Sequence, residues 1–175
     1  MKKFTTVIAF MLSAVLSTAA FGADGLKIGS VDIQKVLLTS DAGKDAKDQL
    51  AGKGSKYEAE KNAREEELKK LKADLEKQSV VLADDARKGK EQLFMQKRKE
   101  LDRFLKDAQE DLQAKNDELT SRLVEEIVRV IQDYGKKNGF SFIFVKNDSM
   151  VYVDDKGDLT DEILKAFNAS RKAGK

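Results

Sequence analysis

The fold is decided by the stretch FSFIFVKNDSMVYVDDKGDLTDEILKAFN, which runs from Phe140 to Asn168. It opens with phenylalanines on alternate positions, a pattern typical of a half-buried strand. The Asn-Asp pair that follows favours a turn, so MVYV at 150–153 is predicted to return as the second strand of a hairpin. Beyond a loop, Thr160 is predicted to cap a final amphipathic helix. The stretch therefore predicts a small β body closed by a short helix.

An earlier segment is predicted to complete this body. LKIGSVDI, from Leu26 to Ile33, indicates a short strand with apolar side chains on both faces, which favours burial on both sides. Gln34 to Leu38 is predicted to form one helical turn. The polar residues after that turn offer N-cap oxygens for a longer helix: Thr39, Ser40 and Asp41.

Two long helices are predicted between these β segments, from Ala42 to about Val81 and from about Ala86 to Lys137. Proline is absent from the chain, so no residue forces a helix to break. The helices would be about 60 and 75 Å long, and the short break between them predicts an antiparallel hairpin. Its coiled-coil seam is predicted to contain Leu50, Tyr57, Leu68, Leu71, Leu75 and Leu82 on the first helix, where Lys61 and Arg64 weaken it, and Leu101, Leu105, Ala108, Leu112, Leu119, Leu123, Ile127, Val130 and Tyr134 on the second.

The predicted fold class is α+β, with a long antiparallel α-helical coiled-coil hairpin inserted between strands 1 and 2 of a small β body. Residues 23–41 and 138–175 form the body, and residues 42–137 form the helical arm. A sheet this small cannot cover its own apolar faces, and its edges stay open for pairing. We therefore expect the body to oligomerise.

The N-terminus has the features of a secretory signal peptide, predicted over residues 1–22. Lys2 and Lys3 precede an apolar run from Phe4 to Leu16, and small residues follow. The run is shorter than the roughly 20 residues that span a bilayer, which argues against a retained anchor. Without those two lysines, 31 of the 33 cations remain against 31 anions, so the exported chain has a net charge near zero.

The composition argues against an enzyme, a metal site or a disulfide scaffold. Cysteine and histidine are both absent, so the usual disulfide, the commonest general base and the commonest metal ligand are all missing. No carboxylates are gathered with a nucleophile, and no glycine loop for phosphate is present. We expect no catalytic residue, no cofactor and no metal, and the exported chain is not expected to bind nucleic acid.

The order of elements resembles the Skp (OmpH) family of periplasmic chaperones. The residues that carry the resemblance are KIGSVDIQKVL at 27–37 and the stretch from Phe140 to Asn168. The resemblance implies a homotrimer in which three bodies join in a β-barrel and three arms enclose a cavity. Unfolded outer-membrane β-barrel proteins would bind there without nucleotide. A lipopolysaccharide site is not carried over, because 113–117 holds a single cation, Lys115.

The trimer body is predicted to be built from apolar strand residues: Ile28, Val31, Phe142, Phe144, Val151 and Val153. Apolar and cationic side chains near the arm tip are the predicted client contacts: Val80, Val81, Phe94, Met95, Phe104, Arg87, Lys88 and Lys90. The cations could equally be an ordinary solvated helix surface, or they could attract acidic clients or anionic membrane surfaces. Many of the apolar residues could equally form the hairpin core.

Two glycines, Gly52 and Gly54, lie within the first long helix, where each costs about 1 kcal/mol relative to alanine. They are predicted to act as a hinge that lets the arm open, and the alternative is a helix that tolerates them. The functional prediction is an ATP-independent periplasmic holdase for unfolded outer-membrane proteins. The alternative is a structural periplasmic coiled-coil adaptor, which would bind one folded partner rather than many unfolded ones.

Overall fold

The structure is a computed structural model that describes residues 26–78 and 83–173. The predicted signal peptide, the predicted seam residue Leu82 and the predicted client contacts Val80 and Val81 lie outside the described residues. Along the chain the elements are β1 (Ile28–Val31), α1 (Ile33–Thr39), α2 (Asp41–Gln78), α3 (Asp84–Lys137), β2 (Phe142–Val145), a 3₁₀ turn (Asp155–Gly157) and α4 (Thr160–Ala173).

The sheet in the described part of the chain pairs β1 with β2 in parallel, with Ile28 opposite Phe142 and Val31 opposite Val145. A parallel pair needs a long crossover, and α1, α2 and α3 together provide it. The helical arm is therefore inserted between the two strands, as predicted. The first strand is shorter than predicted, because Ile33 already begins α1.

The prediction of a third strand at 150–153 is wrong for this chain. The segment has no strand geometry, and the side chains of Val151 and Tyr152 are 98% and 81% exposed. The reason lies further along, where Asp158 bridges Ser30 and the Leu159 N–H donates to the Ser30 carbonyl. Since β2 occupies one edge of β1, the chain must cross to the other edge, and this crossing draws 150–157 away from β2.

The core lies where α1, α3 and α4 pack over β1. Its fully buried side chains are Val31, Val36, Ile127, Ile163 and Phe167. The core continues past the predicted boundary at 41/42 and 137/138, because Ala42, Ala46, Leu123 and Ile127 join the same cluster. We call the elements around this core the body: β1, α1, β2, α4, α2 up to Ala46 and α3 from Leu119 onward.

Helix α4 ties the two long helices to the body. Phe167 is buried in the core, and the neighbouring Asn168 side chain accepts a hydrogen bond from the Asp41 N–H at the start of α2. One turn later, Arg171 forms an ion pair with Glu126 of α3. A single short helix thus fixes where both long helices leave the body.

Side-chain caps set the helix starts. Asp32 accepts from the Lys35 N–H at the start of α1, and Ser40 accepts from the Gly43 N–H at the start of α2. The predicted cap of the last helix is displaced, because α4 already begins at Thr160. Asp158 accepts from the Thr160 N–H, while the Thr160 hydroxyl accepts from the Asp32 N–H. Thr160 therefore joins α4 to α1.

Beyond the body, α2 and α3 run side by side as the arm, which we define as residues 47–78 and 83–118. Tyr57 contacts Phe104, and Glu67 pairs with Lys97, so positions on α3 fall as positions on α2 rise. The helices are therefore antiparallel, and their 38 and 54 residues correspond to about 57 and 81 Å. In the described arm only Leu101 and Ala108 are buried, each 9% exposed.

Candidate functional site

The predicted seam of the arm is largely where the helices meet. On α2 the half-buried positions include Leu50, Tyr57, Leu68, Leu71 and Leu75. On α3, however, Leu105 is 40% exposed, and Phe104 takes the inward position instead. Neighbouring residues point about 100° apart on a helix, so the seam can accept only one of the two. The prediction that Leu105 lies in the seam is therefore wrong.

Polar contacts join the helices near the base of the arm, on the side of the body. The Tyr57 hydroxyl donates to the Asp111 carboxylate, and Lys53 forms an ion pair with the same carboxylate. The hydrogen bond from Lys53, followed by that from Tyr57, holds the pKa of Asp111 below its usual value. The same contacts raise the pKa values of Lys53 and Tyr57, in each case chiefly through the hydrogen bond to Asp111. We call these three residues the clasp.

The cations that weaken the predicted seam find partners on the arm. The Arg64 guanidinium lies 4.5 Å from the centre of the Phe104 ring, and Arg64 also binds Glu60. Lys61 is 2.8 Å from Glu58 one turn away. The seam therefore tolerates Lys61 and Arg64 because their charged ends reach the edge of the arm.

The predicted client contacts that the structure describes lie on different sides of the arm. Phe104 packs edge-to-face on Tyr57 with ring centres 5.9 Å apart, and so contributes to the arm's own seam. Phe94 is half-buried, whereas its neighbour Met95 is 49% exposed. Met95 lines a depression on the outer side of α3 with Lys88, Lys99 and Arg103. Arg87 is exposed and pairs with Glu91, and Lys90 is half-buried.

The two predicted hinge glycines lie in unbroken α2 and on opposite sides of it. A Cβ atom at either position would meet nothing within 4 Å. Gly54 lines a groove with Tyr57 and Leu105, whereas Gly52 lines a different groove with Lys53 and Lys56. Lys53, one of the three clasp residues, lies between the two glycines in the sequence. The glycines therefore flank the point at which the clasp joins α2 to α3. The hinge role itself remains a prediction.

The body presents an apolar face that residues 26–78 and 83–173 leave exposed. Phe142 and Phe144 stack with ring centres 6.1 Å apart and are 53% and 50% exposed. Ile28, opposite Phe142 in the ladder, is 50% exposed, and Val151 is 98% exposed. Contiguous apolar surface of this kind marks interaction sites. Among the other predicted trimer residues, Val153 is half-buried and Val31 lies inside the body's own core.

Sequence reasoning missed the clasp and the groove beside Gly54. Local periodicity shows which residues face a partner helix but not which residue on that helix lies opposite. The pairing of Lys53 with Asp111 depends on the hairpin register, which a match of the seam positions on the two helices could have indicated. In the described residues, no group of three or more acidic side chains is placed to hold a metal ion. Over residues 26–78 and 83–173, no helix has the length and apolarity to cross a bilayer.

Comparison with known proteins connects this architecture to a family. Residues 27–167 match the family described as outer membrane protein (OmpH-like). An uncharacterized protein of Aquifex aeolicus (strain VF5) is 29% identical over 168 residues, covering 96% of this chain and 97% of that protein. The crystal structure of an OmpH-like protein from Caulobacter crescentus CB15, a candidate outer membrane chaperone, superposes with a TM-score of 0.79. The two share 18% identity over 85% of this chain and 88% of that one, which establishes a common fold.

Proposed function

The chain belongs to the OmpH-like family, a family of chaperone type, and from this premise we propose that it is a periplasmic holdase. It would bind unfolded outer-membrane β-barrel proteins between its arms and prevent their aggregation. Release would need no nucleotide, since the sequence contains no glycine loop for phosphate. The periplasmic location follows from the clients and from the predicted signal peptide.

The observation that carries the proposal is that the family match covers body and arm together. The arm is a long two-helix structure whose apolar residues are mostly only half-buried. Such a surface suits weak, adaptable contacts with many unfolded chains better than tight contact with one folded partner. At the tip, Met95 among cations offers the flexible apolar contact that promiscuous binders use.

Homotrimer formation through the body is part of the proposal. The exposed face of Ile28, Phe142 and Phe144 would pack against neighbouring protomers, and the exposed Val151 would add a further apolar contact. The edge of β2 that pairs with no strand in the described part of the chain would also be covered. Val31 supports this face from within the core rather than contributing to it directly. Light scattering on the mature chain should give three times the protomer mass, and Phe144→Lys should shift it towards a single protomer.

The holdase activity is tested by diluting a urea-unfolded outer-membrane β-barrel protein into buffer with and without the mature chain, while scattering is followed over time. We expect scattering to be suppressed at about one trimer per client, without ATP, and for several unrelated barrels. Rapid aggregation in the presence of excess protein would overturn the proposal. Stable binding of one folded envelope protein, with no effect on unfolded barrels, would indicate an adaptor instead.

A further inference from the structure

A groove runs along one side of the arm between α2 and α3. Its volume is about 540 Å³, and its apolar lining consists of Leu50, Tyr57, Phe104, Leu105, Ala108 and Leu112. Gly54 lies in the wall, where a Cβ atom would meet nothing within 4 Å. The groove thus owes part of its space to a missing side chain, and it leaves apolar surface such as Leu105 uncovered.

The polar part of the groove carries no net charge. Its charged residues are Glu58 and Lys61, and these neutralise each other at 2.8 Å. The remaining polar residues are the amides Gln109, Gln113 and Asn116. They are spaced by four and three residues, so they form one row along α3. Amides both donate and accept hydrogen bonds, which suits contact with the backbone of a bound segment.

The opposite side of the arm at the same height is chemically different. Gly52 lines a groove there with Lys53, Lys56 and Lys115 against a single carboxylate, Asp48. Lys53 and Lys115 are paired with Asp111 and Glu118, which lie outside this lining. Residues two apart on a helix point about 200° apart, which explains how Gly52 and Gly54 serve different grooves. The arm therefore has one side whose lining is neutral and one side whose lining has a surplus of cations, with a glycine on each.

We propose that the groove beside Gly54 binds an extended, uncharged segment of an unfolded polypeptide that carries apolar side chains on alternate positions. The inference rests on the proposed holdase function and deepens it by placing a client contact in the half of the arm next to the body. Along α2, from Leu50 to Lys61, the groove is about 17 Å long, which matches about five extended residues.

Both the charge and the shape of the groove favour an extended, uncharged segment with alternating apolar side chains. The apolar face of an alternating segment fits the apolar lining, while its backbone meets the row of amides. A charged segment would lose hydration in the groove without finding an unpaired opposite charge, because Glu58 and Lys61 already neutralise each other. Strands of membrane barrels, about 9–11 residues with apolar side chains on alternate positions, supply such segments when they are unfolded.

The test uses Gly54→Met, which fills the groove, and Gly52→Met as the matched control on the cationic side. The two substitutions add the same side chain to the same helix, where both sites are open. Binding of a fluorescent peptide of about ten alternating leucine and threonine residues is followed by anisotropy on the full mature protein. We expect Gly54→Met to weaken binding about tenfold and Gly52→Met by less than about twofold.

Three further measurements complete the test. Leu105→Gln, which changes the exposed lining without filling the groove, should also weaken peptide binding severalfold, with helix content unchanged by circular dichroism. A peptide with glutamate in place of threonine should bind the parent less tightly than the uncharged one. Equal binding by the parent and Gly54→Met, or preference for the acidic peptide, would overturn the groove assignment. Failure of the parent to suppress aggregation would instead overturn the holdase function, whatever the peptide does.

Discussion

The body and the arm use their apolar side chains in different ways. In the body, Phe167, Ile127 and Ile163 are no more than 1% exposed and belong to one cluster. In the described arm the most buried side chains, Leu101 and Ala108, are 9% exposed, and they lie on a single narrow seam. Burial of apolar surface is the main source of stability. The comparison indicates that the body is the stable unit and that the arm leaves apolar surface available for contacts.

The largest effect is expected from a substitution in the body core. Phe167→Ala removes a large side chain that is buried in the body core, and it should lower the free energy of unfolding by about 3–5 kcal/mol. Urea unfolding followed by circular dichroism at fixed protein concentration measures this. Since Phe167 lies beside Asn168, which binds the start of α2, the loss should reach the base of the arm.

A substitution in the arm seam should cost less. Phe104→Ala removes the edge-to-face contact with Tyr57 and the ring beneath Arg64. Because Phe104 is only half-buried, we expect a loss of about 2–3 kcal/mol, below that of a core phenylalanine. Urea unfolding followed by circular dichroism measures this loss, and Phe94→Ala, at another half-buried phenylalanine of the arm, is measured in the same way. A cost for Phe104→Ala equal to that of Phe167→Ala would remove the contrast between body and arm.

Replacing Gly52 and Gly54 together with alanine should stabilise the arm. Both positions are helical and open, so alanine adds helix propensity without a clash and should contribute about 1–2 kcal/mol in total. If the glycines form a hinge, amide exchange near them should slow and the range of client sizes that are captured should narrow, while the trimer stays intact. A double variant that captures large and small clients as the parent does would leave the glycines as tolerated residues.

The smallest effect is expected at the clasp. The pKa of Asp111 is lowered in the folded state, so its contribution to stability is present above about pH 4 and is lost as the pH falls through the lowered value. Asp111→Asn should therefore reduce the pH dependence of arm stability below pH 4 and leave that of the body unchanged. Amide exchange of the arm measured between pH 3 and pH 5 provides the check. An unchanged acid profile would contradict this role of Asp111.

Local patterns in the sequence were sufficient for the long helices and for most of the seam. The bounds of α2 and α3 follow from uninterrupted helical composition, since α2 begins at Asp41 where Ser40 provides the cap. The predictions that failed concern strand pairing, which depends on contacts between segments that are distant in the sequence. The parallel pairing of Ile28 with Phe142 and the crossing that displaces 150–153 cannot be derived from alternation, because alternation does not specify which strand pairs with which.

In the candidate site too, local sequence patterns do not decide which single residue contacts the partner helix. Either Phe104 or Leu105 continues the heptad pattern, and only packing against Tyr57 decides that Phe104 turns inward. That choice exposes Leu105 and opens the groove beside Gly54. The clasp likewise depends on which residue of α3 lies opposite Lys53. The sequence indicated an apolar and cationic arm, whereas the positions of its contact surfaces required the register of the two helices.

The most direct test of the contrast between body and arm is amide hydrogen exchange on the full mature protein, resolved by peptide along the chain. Exchange reports local opening, which is easiest where few apolar contacts must be broken. We predict that residues 120–134 of α3 and the buried turns of α4 exchange at least about a hundredfold more slowly than residues 60–77 and 85–100. Exchange in the arm as slow as in these body segments would contradict the account.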